Sequence, residues 1–268
     1  MRSGNLFLLK KLIERKTGLD LSGYKDEFIE RRVHVRMMSC GAETINQYLR
    51  ILESSDDERR KLLDALSINF SDFFRDKFVW DVIAKRVLRE TLEECLRKGR
   101  RLNIWSAGCA HGQEPYTIAI LSWEIAKSLG SSPPVRIYAT DVDEDALRRA
   151  RRATYTKEEL KGIPPLLLRE YFDFTGTGYR VKEHVKRLVL VRKHDLIKEP
   201  PLKYVHIIFC RNVLIYFDKM SQQRVLSKFH SALLPPGYLI LGTMEALSGP
   251  ASELFEVVDN RARIYKKR

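Results

Sequence analysis

Between Ile104 and Leu121 the sequence IWSAGCAHGQEPYTIAIL runs from an apolar stretch through five small residues, Ser106 to Ala110, to Gln113-Glu114-Pro115 and a second apolar stretch. The first stretch has the length of a buried strand and Pro115 suits the opening of a helix, so Glu114 falls at a strand-to-helix corner. A dinucleotide site at such a corner uses G-x-G-x-x-G and rests a pyrophosphate on the helix N-terminus. Here those glycines are missing, and the Glu114 carboxylate would repel a pyrophosphate. The corner suits a ligand that is cationic and carries no phosphate. S-adenosylmethionine, with a sulfonium and an ammonium group, has that chemistry.

Other strand-like runs end in residues that fit the same ligand. VRIYATD ends on Asp141, whose carboxylate can accept both hydroxyls of a ribose. LVLVRKH leads to Asp195 and Leu196, a polar-then-apolar pair suited to an edge hydrogen bond and a face contact with adenine. HIIFCR leads to Asn212. An acid after the second strand is shared with nicotinamide sites, and the Gly108 to Glu114 corner is what separates the two classes.

These residues need a scaffold that gathers strand ends. From Leu102 onward, LNIWSA, VRIYAT, HIIFC and YLILGT alternate with helical patterns beginning near Pro115, Asp143 and Met220. Such alternation predicts an α/β fold with an open, mostly parallel sheet, whose ligands sit beyond the carboxyl ends of its strands. TGTGYRVKEHVKRLVLVRK breaks the alternation and predicts an antiparallel β insertion at about 174–193, while LFEVVDNRARIYKKR predicts an antiparallel C-terminal edge. Before this, LFLLKKLIERKTG, YKDEFIERRVHVRMMSCG, TINQYLRILES and DERRKLLDALSI have helical spacing and predict a small all-helical domain over 1–75. DKFVWDVIAKRVLRETLEECLRKG predicts a linker helix over 76–100, leaving 101–268 as the sheet domain.

The chain has 268 residues, 44% of them apolar, enough for a sizeable core. Its net charge is +13, yet residues 1–75 carry 14 Lys and Arg against 12 Asp and Glu, so positive charge there is local, as in ERRVHVRMM with Arg31, Arg32 and Arg36. The basic groups read as solvated helix faces or as docking sites for an acidic macromolecule. Four dispersed cysteines form no C-x-x-C pair, and no metal is expected. No signal-peptide pattern and no membrane-spanning run is seen, so the cytoplasm is the expected location, without membrane insertion.

Five segments, INFSDFFRD, WSAGCAHGQEPYTIA, YATDVDEDALRRARRATY, IIFCRNVLIYFD and PPGYLILGTMEAL, lie in an order and at spacings that resemble the chemotaxis receptor methyltransferases, the CheR family. The resemblance covers nearly the whole chain. It implies a Rossmann-like S-adenosylmethionine methyltransferase sheet and a helical receptor-recognition domain. The implied activity is methyl transfer from S-adenosylmethionine to glutamate side chains of chemoreceptor cytoplasmic domains, with S-adenosylhomocysteine as product.

Position by position, the resemblance places cofactor contacts at Asn69, Ser71, Arg75, Gly108, Glu114, Asp141, Asp195, Leu196, Asn212 and Val213. It gives catalytic roles to Arg75 and Tyr216 and receptor binding to Arg31, Arg32 and Arg36. His111 and Gln113 depart from the usual S-T-G-E-E-P-Y form, and Asp195 stands where asparagine is frequent. Membrane proximity would come only through receptors; a monomer and no nucleic acid are expected. The competing readings are an S-adenosylmethionine-dependent enzyme acting on RNA or a small molecule, and a non-catalytic scaffold that senses the cofactor. No RNA-binding module is visible in the sequence.

Overall fold

A computed structural model describes residues 3–67, 69 and 71–268. Ile68 and Phe70 of the INFSDFFRD segment lie outside the described residues. The chain divides into two compact units, residues 1–69 with 216–222, and residues 70–215 with 223–268.

The first unit is helical: α1 Ser3–Thr17, α2 Asp26–Cys40, α3 Ile45–Ser54 and α4 Asp56–Leu66. Local signals set the boundaries. Gly41 ends α2 in the left-handed conformation (φ 72°), with its N–H turned back to the helix carbonyls. Thr44 and Gln47 form a reciprocal capping box on α3, and the Ser55 hydroxyl accepts from the Glu58 N–H at the start of α4. Leu9, Ile13, Ile29, Val33, Tyr48, Leu52 and Leu62 form the core. Each expected helix is present within one to three residues of its sequence pattern.

The second unit opens with a continuous helical rod, α5 Lys77–Ile83, a π turn at Ala84–Leu88 and α6 Arg89–Arg97. The sequence suggested a linker. Instead Val79, Trp80, Ile83, Val87, Leu88 and Leu92 are buried in the core of this unit with Ile104, Ile118 and Phe209, so the rod is one of the layers on the sheet. The remaining elements are β1 Leu102–Ala107, α7 Gln113–Ser128, β2 Val135–Asp141, α8 Glu144–Arg152, β3 Thr154–Tyr155, α9 Pro165–Tyr171, β4 Phe172–Phe174, β5 Tyr179–Val181, α10 Glu183–Lys186, β6 Val189–Lys193, β7 Val205–Cys210, α11 Lys219–Ala232, β8 Leu233–Leu241, β9 Phe255–Asp259 and β10 Ile264–Lys267.

Seven strands form one sheet in the order β6-β2-β1-β7-β8-β10-β9. The first five are parallel; β10 runs antiparallel to β8, and β9 to β10. The central strands β1 and β7 are buried along almost their whole length, as a sheet covered on both faces requires. A second, three-stranded antiparallel sheet has the order β3-β5-β4.

This small sheet corrects the expected insertion at about 174–193. Its strands come from 154–155, 172–174 and 179–181, whereas Val189–Lys193 pairs in parallel with β2 as an edge of the large sheet. A Val-rich run reads alike as hairpin or as edge strand, and only its partner separates them. The Pro-Pro-Gly segment lies inside β8, where the register moves from Val205↔Leu233 to Ile207↔Tyr238.

Candidate cofactor-binding site

Strand order reverses at β1, which has β2 on one side and β7 on the other. In open parallel sheets the crevice at this reversal, beyond the carboxyl ends, receives ligands. The loops after β1, β2, β6 and β7 all leave the carboxyl ends of parallel strands, on that side of the sheet.

The first loop is a tight turn of backbone. Gly108 (φ 78°) and Cys109 donate their N–H groups to the Thr140 carbonyl at 2.8 and 2.9 Å, tying the turn to β2. A Cβ on Gly108 would overlap the Val213 side chain, so glycine is required by both backbone and space. At the start of α7, Glu114 is 9% exposed. The Ser106 hydroxyl donates to its Oε1 at 2.7 Å, and an Arg211 nitrogen lies 3.8 Å from Oε2. Burial pushes the Glu114 carboxyl above its ordinary pKa; Arg211, the Ser106 hydrogen bond and, more weakly, Arg75 oppose this, while Glu245 adds to it. Gln113, 2% exposed, finds no partner for its Oε1 among the described residues. The His111 carbonyl accepts from the Tyr155 hydroxyl at 2.8 Å, and burial lowers the imidazole pKa, favouring the neutral ring.

Asp141 closes β2. One carboxylate oxygen accepts the Ala110 N–H at 2.9 Å and the other the Asp143 N–H at 3.1 Å, leaving lone pairs on both. Burial raises its pKa against these backbone hydrogen bonds. The loop after β6 is built by side chains on backbone. Asp195 Oδ1 accepts from the Ile197 and Lys198 N–H groups at 2.8 and 3.1 Å, and the Asp195 N–H donates to Glu199 at 2.9 Å. Leu196 is buried. From α11, Lys228 Nζ donates to the carbonyls of Leu196, Ile197 and Glu199 at 2.7–3.0 Å, saturating the ammonium.

Asn212 (φ 61°) and Val213 follow β7, and the buried Arg211 precedes them. Arg211 reaches the segment carrying Arg75: it donates to the Arg75 carbonyl at 3.2 Å and to Asp76 at 2.7 Å, and lies 5.4 Å from the Trp80 ring centroid. Thus Ser71, half-buried, and Arg75 share the second unit with Gly108, Glu114, Asp141, Asp195, Leu196, Asn212 and Val213. Residue type and spacing do not mark Arg211, Lys228 and Glu245, although Arg211 and Glu245 lie inside family-like segments.

Asn69 and Tyr216 belong to the first unit. The Tyr216 ring lies 4.9 Å from Phe28, and its carbonyl accepts the Lys25 N–H at 3.0 Å. Of the three arginines on α2, Arg31 is exposed, and half-buried Arg32 lies 5.7 Å from the Phe28 ring centroid. Arg36 turns inward. Its Nε and Nη2 donate to both oxygens of Glu58 at 2.9 and 2.6 Å, and the Tyr48 hydroxyl also donates to Glu58, at 2.9 Å. Arg36 therefore departs from the outward docking role suggested by the sequence: α2 packs against α4, and a 6% exposed Glu58 needs a cation there.

Together the strand-end residues fit S-adenosylmethionine by their own chemistry: a buried acid with unused acceptor capacity where a phosphate would be repelled, and a carboxylate with two available oxygens after β2. Among the described residues no group of three or more His, Cys, Asp or Glu could hold a metal ion, and no helix is long and apolar enough to cross a membrane.

The family model of the CheR methyltransferase all-alpha domain matches residues 5–67, and that of the CheR methyltransferase SAM binding domain matches residues 69–264. The chain is 34% identical over 263 residues to chemotaxis protein methyltransferase 1 of Vibrio cholerae, covering 96% of this chain and 94% of that one. It is 32% identical over 247 residues to the chemotaxis protein methyltransferase of Borreliella burgdorferi, covering 90% and 87%. With that of Escherichia coli it shares 32% over 254 residues, covering 90% and 83%.

Proposed function

Because the chain belongs to the CheR methyltransferase family, and so is an S-adenosylmethionine-dependent methyltransferase, we propose that it methylates glutamate side chains of chemoreceptor cytoplasmic helices, giving methyl esters that serve chemotactic adaptation. The observation that carries the reading is Glu114, a buried acid at the helix start beside the small-residue turn. It suits a cationic methyl donor, and the matching helical domain supports a receptor as substrate.

When bound, S-adenosylmethionine supplies an electrophilic methyl carbon attached to a sulfonium. Glu114 is suited to hold its ammonium, Asp141 its ribose hydroxyls, and Asp195 with Leu196 its adenine. A substrate glutamate, with an ordinary pKa of about 4.3, is already ionised at neutral pH, so no general base is required. The protein's contribution is alignment and exclusion of water, effects with a ceiling of roughly 7–11 kcal/mol. Arg75 is the residue we assign to orient the substrate carboxylate, and Tyr216, on the family resemblance, to hold its second oxygen. Asn69 and Ser71 keep cofactor roles on the same ground, and Arg31 and Arg32 keep receptor roles.

The test is incorporation of labelled methyl groups into chemoreceptor cytoplasmic fragments. Base-labile label on glutamate is expected. Base-stable label, or label on RNA alone, would overturn the proposal.

A further inference from the structure

Glu245, in the turn after β8, is 5% exposed and spends its carboxylate entirely on backbone. Oε2 accepts the N–H groups of Asn212 and Gly242 at 2.8 and 2.7 Å, and Oε1 those of Val213 and Ile215 at 3.0 and 3.3 Å. Three of these four donors belong to the loop after β7. Asn212 adopts the left-handed conformation (φ 61°), which asparagine accepts more readily than most non-glycine residues. Buried amides outside a helix or sheet ladder must find another acceptor, and a carboxylate offers about four lone-pair sites for them.

The geometry leaves the loop little freedom. A Cβ on Gly242 would sit 2.8 Å from both the Asn212 nitrogen and Glu245 Oε2, so the two loops approach this closely only with glycine. Val213 also fills the space over Gly108 that any side chain there would claim. The loop is bonded to Glu245 and meets the turn that follows β1.

We propose that Glu245 is a positioning residue for the cofactor: its carboxylate sets where Asn212 and Val213 stand relative to Gly108, without touching the ligand. This rests on the assignment of Asn212 and Val213 to the cofactor site. The charge matters as well as the shape, since a glutamine has one acceptor oxygen and would turn its NH2 group toward amide donors. Burial raises the Glu245 pKa, and backbone hydrogen bonds, those from Gly242, Asn212 and Ile215 among them, counter this.

The test combines amide hydrogen exchange of the unliganded protein with calorimetric titration by S-adenosylhomocysteine, on wild type, Glu245→Gln and Glu245→Asp. In Glu245→Gln, protection at Val213 and Ile215 should fall at least about tenfold while β1 and β7 keep theirs. The S-adenosylhomocysteine dissociation constant and the KM for the methyl donor should each rise at least about tenfold, with a smaller change in kcat. Glu245→Asp keeps the charge and should recover part of each loss; if the glutamine variant does not fold, the aspartate variant is read against wild type. Unchanged protection at Val213 and Ile215, or wild-type affinity in a folded variant, overturns the proposal. Failure of wild type itself to bind would instead remove the underlying cofactor assignment, so the two failures are distinct.

Discussion

The Arg211 guanidinium stands 3.8 Å from Glu114 while another of its nitrogens holds Asp76 at 2.7 Å, so one buried cation serves both the corner proposed for the cofactor and the segment carrying Arg75. Without it, Glu114 would face burial, Glu245 and the low dielectric with only the Ser106 hydroxyl and the more weakly acting Arg75 in its favour. Arg211 and the Ser106 hydrogen bond favour the anionic form of a carboxyl whose pKa burial nevertheless raises.

A pH dependence follows. The carboxylate is the form that can hold an ammonium, and burial has raised its pKa, so affinity for S-adenosylhomocysteine should be full near neutral pH, where the ligand's amino group is still protonated. It should fall as pH drops through the raised value, earlier than for an ordinary carboxyl. The loss on protonation should be roughly ten- to a hundredfold, the weight of a charge-assisted hydrogen bond of about 1.5–3 kcal/mol. In Arg211→Met the midpoint should move further up, because Arg211 is the largest contribution opposing burial. Calorimetry across pH on both proteins checks this; a midpoint unmoved by Arg211→Met would break the link.

Lys228 offers a second measurement. Its three carbonyl acceptors lie 29–32 residues earlier in the chain and belong to the loop assigned to adenine. Lys228→Met keeps most of the length of the side chain and removes the donors. Three carbonyls then lose their ammonium partner, at about 1–3 kcal/mol for each that stays buried and unsatisfied. The expected result is a roughly tenfold higher KM for the methyl donor with the receptor KM unchanged, read by steady-state kinetics.

The strand ends were legible in the sequence because ligands of open parallel sheets gather there, so Gly108, Glu114, Asp141, Asp195 and Asn212 could be nominated by position alone. Their supports were not. Glu245 acts on amides 30–33 residues earlier, and a contact with backbone leaves no mark in the residue types at its other end. The rod from Lys77 to Arg97 shows the same limit: its apolar face said that it was buried, and only the fold shows that the partner is its own sheet unit. Val189–Lys193 was assigned to the insertion because apolar alternation does not name a neighbouring strand.

Arg36 and Arg31 separate stability from docking. The Arg36–Glu58 pair is largely buried, with side-chain exposures of 19% and 7%, so Arg36→Met should destabilise the protein by about 3–5 kcal/mol through an uncompensated Glu58. Burial pushes the Glu58 pKa up, but hydrogen bonds from Arg36 and Tyr48 more than offset this and leave it below the ordinary range. Its contribution is therefore present above the unfolded-state pKa and lost as pH falls through the folded one. Denaturant unfolding of wild type and Arg36→Met at neutral and acid pH should show the gap narrowing in acid. Arg31→Glu should leave unfolding unchanged within about 0.5 kcal/mol and raise the receptor KM, with cofactor affinity intact.

Tyr216 tests the chemistry itself. Its ring packs 4.9 Å from Phe28 in the helical unit, and phenylalanine would preserve that packing while deleting the hydroxyl. If the hydroxyl holds a substrate oxygen as the methyl group moves, Tyr216→Phe should lower kcat by roughly a hundredfold, the scale of one lost transition-state donor. S-adenosylhomocysteine affinity should stay at the wild-type value. A kcat within about twofold of wild type would make the residue a packing tyrosine and leave Arg75 as the sole candidate for holding the carboxylate. Arg75→Lys then becomes decisive, since lysine keeps the charge but loses the planar two-point contact with a carboxylate.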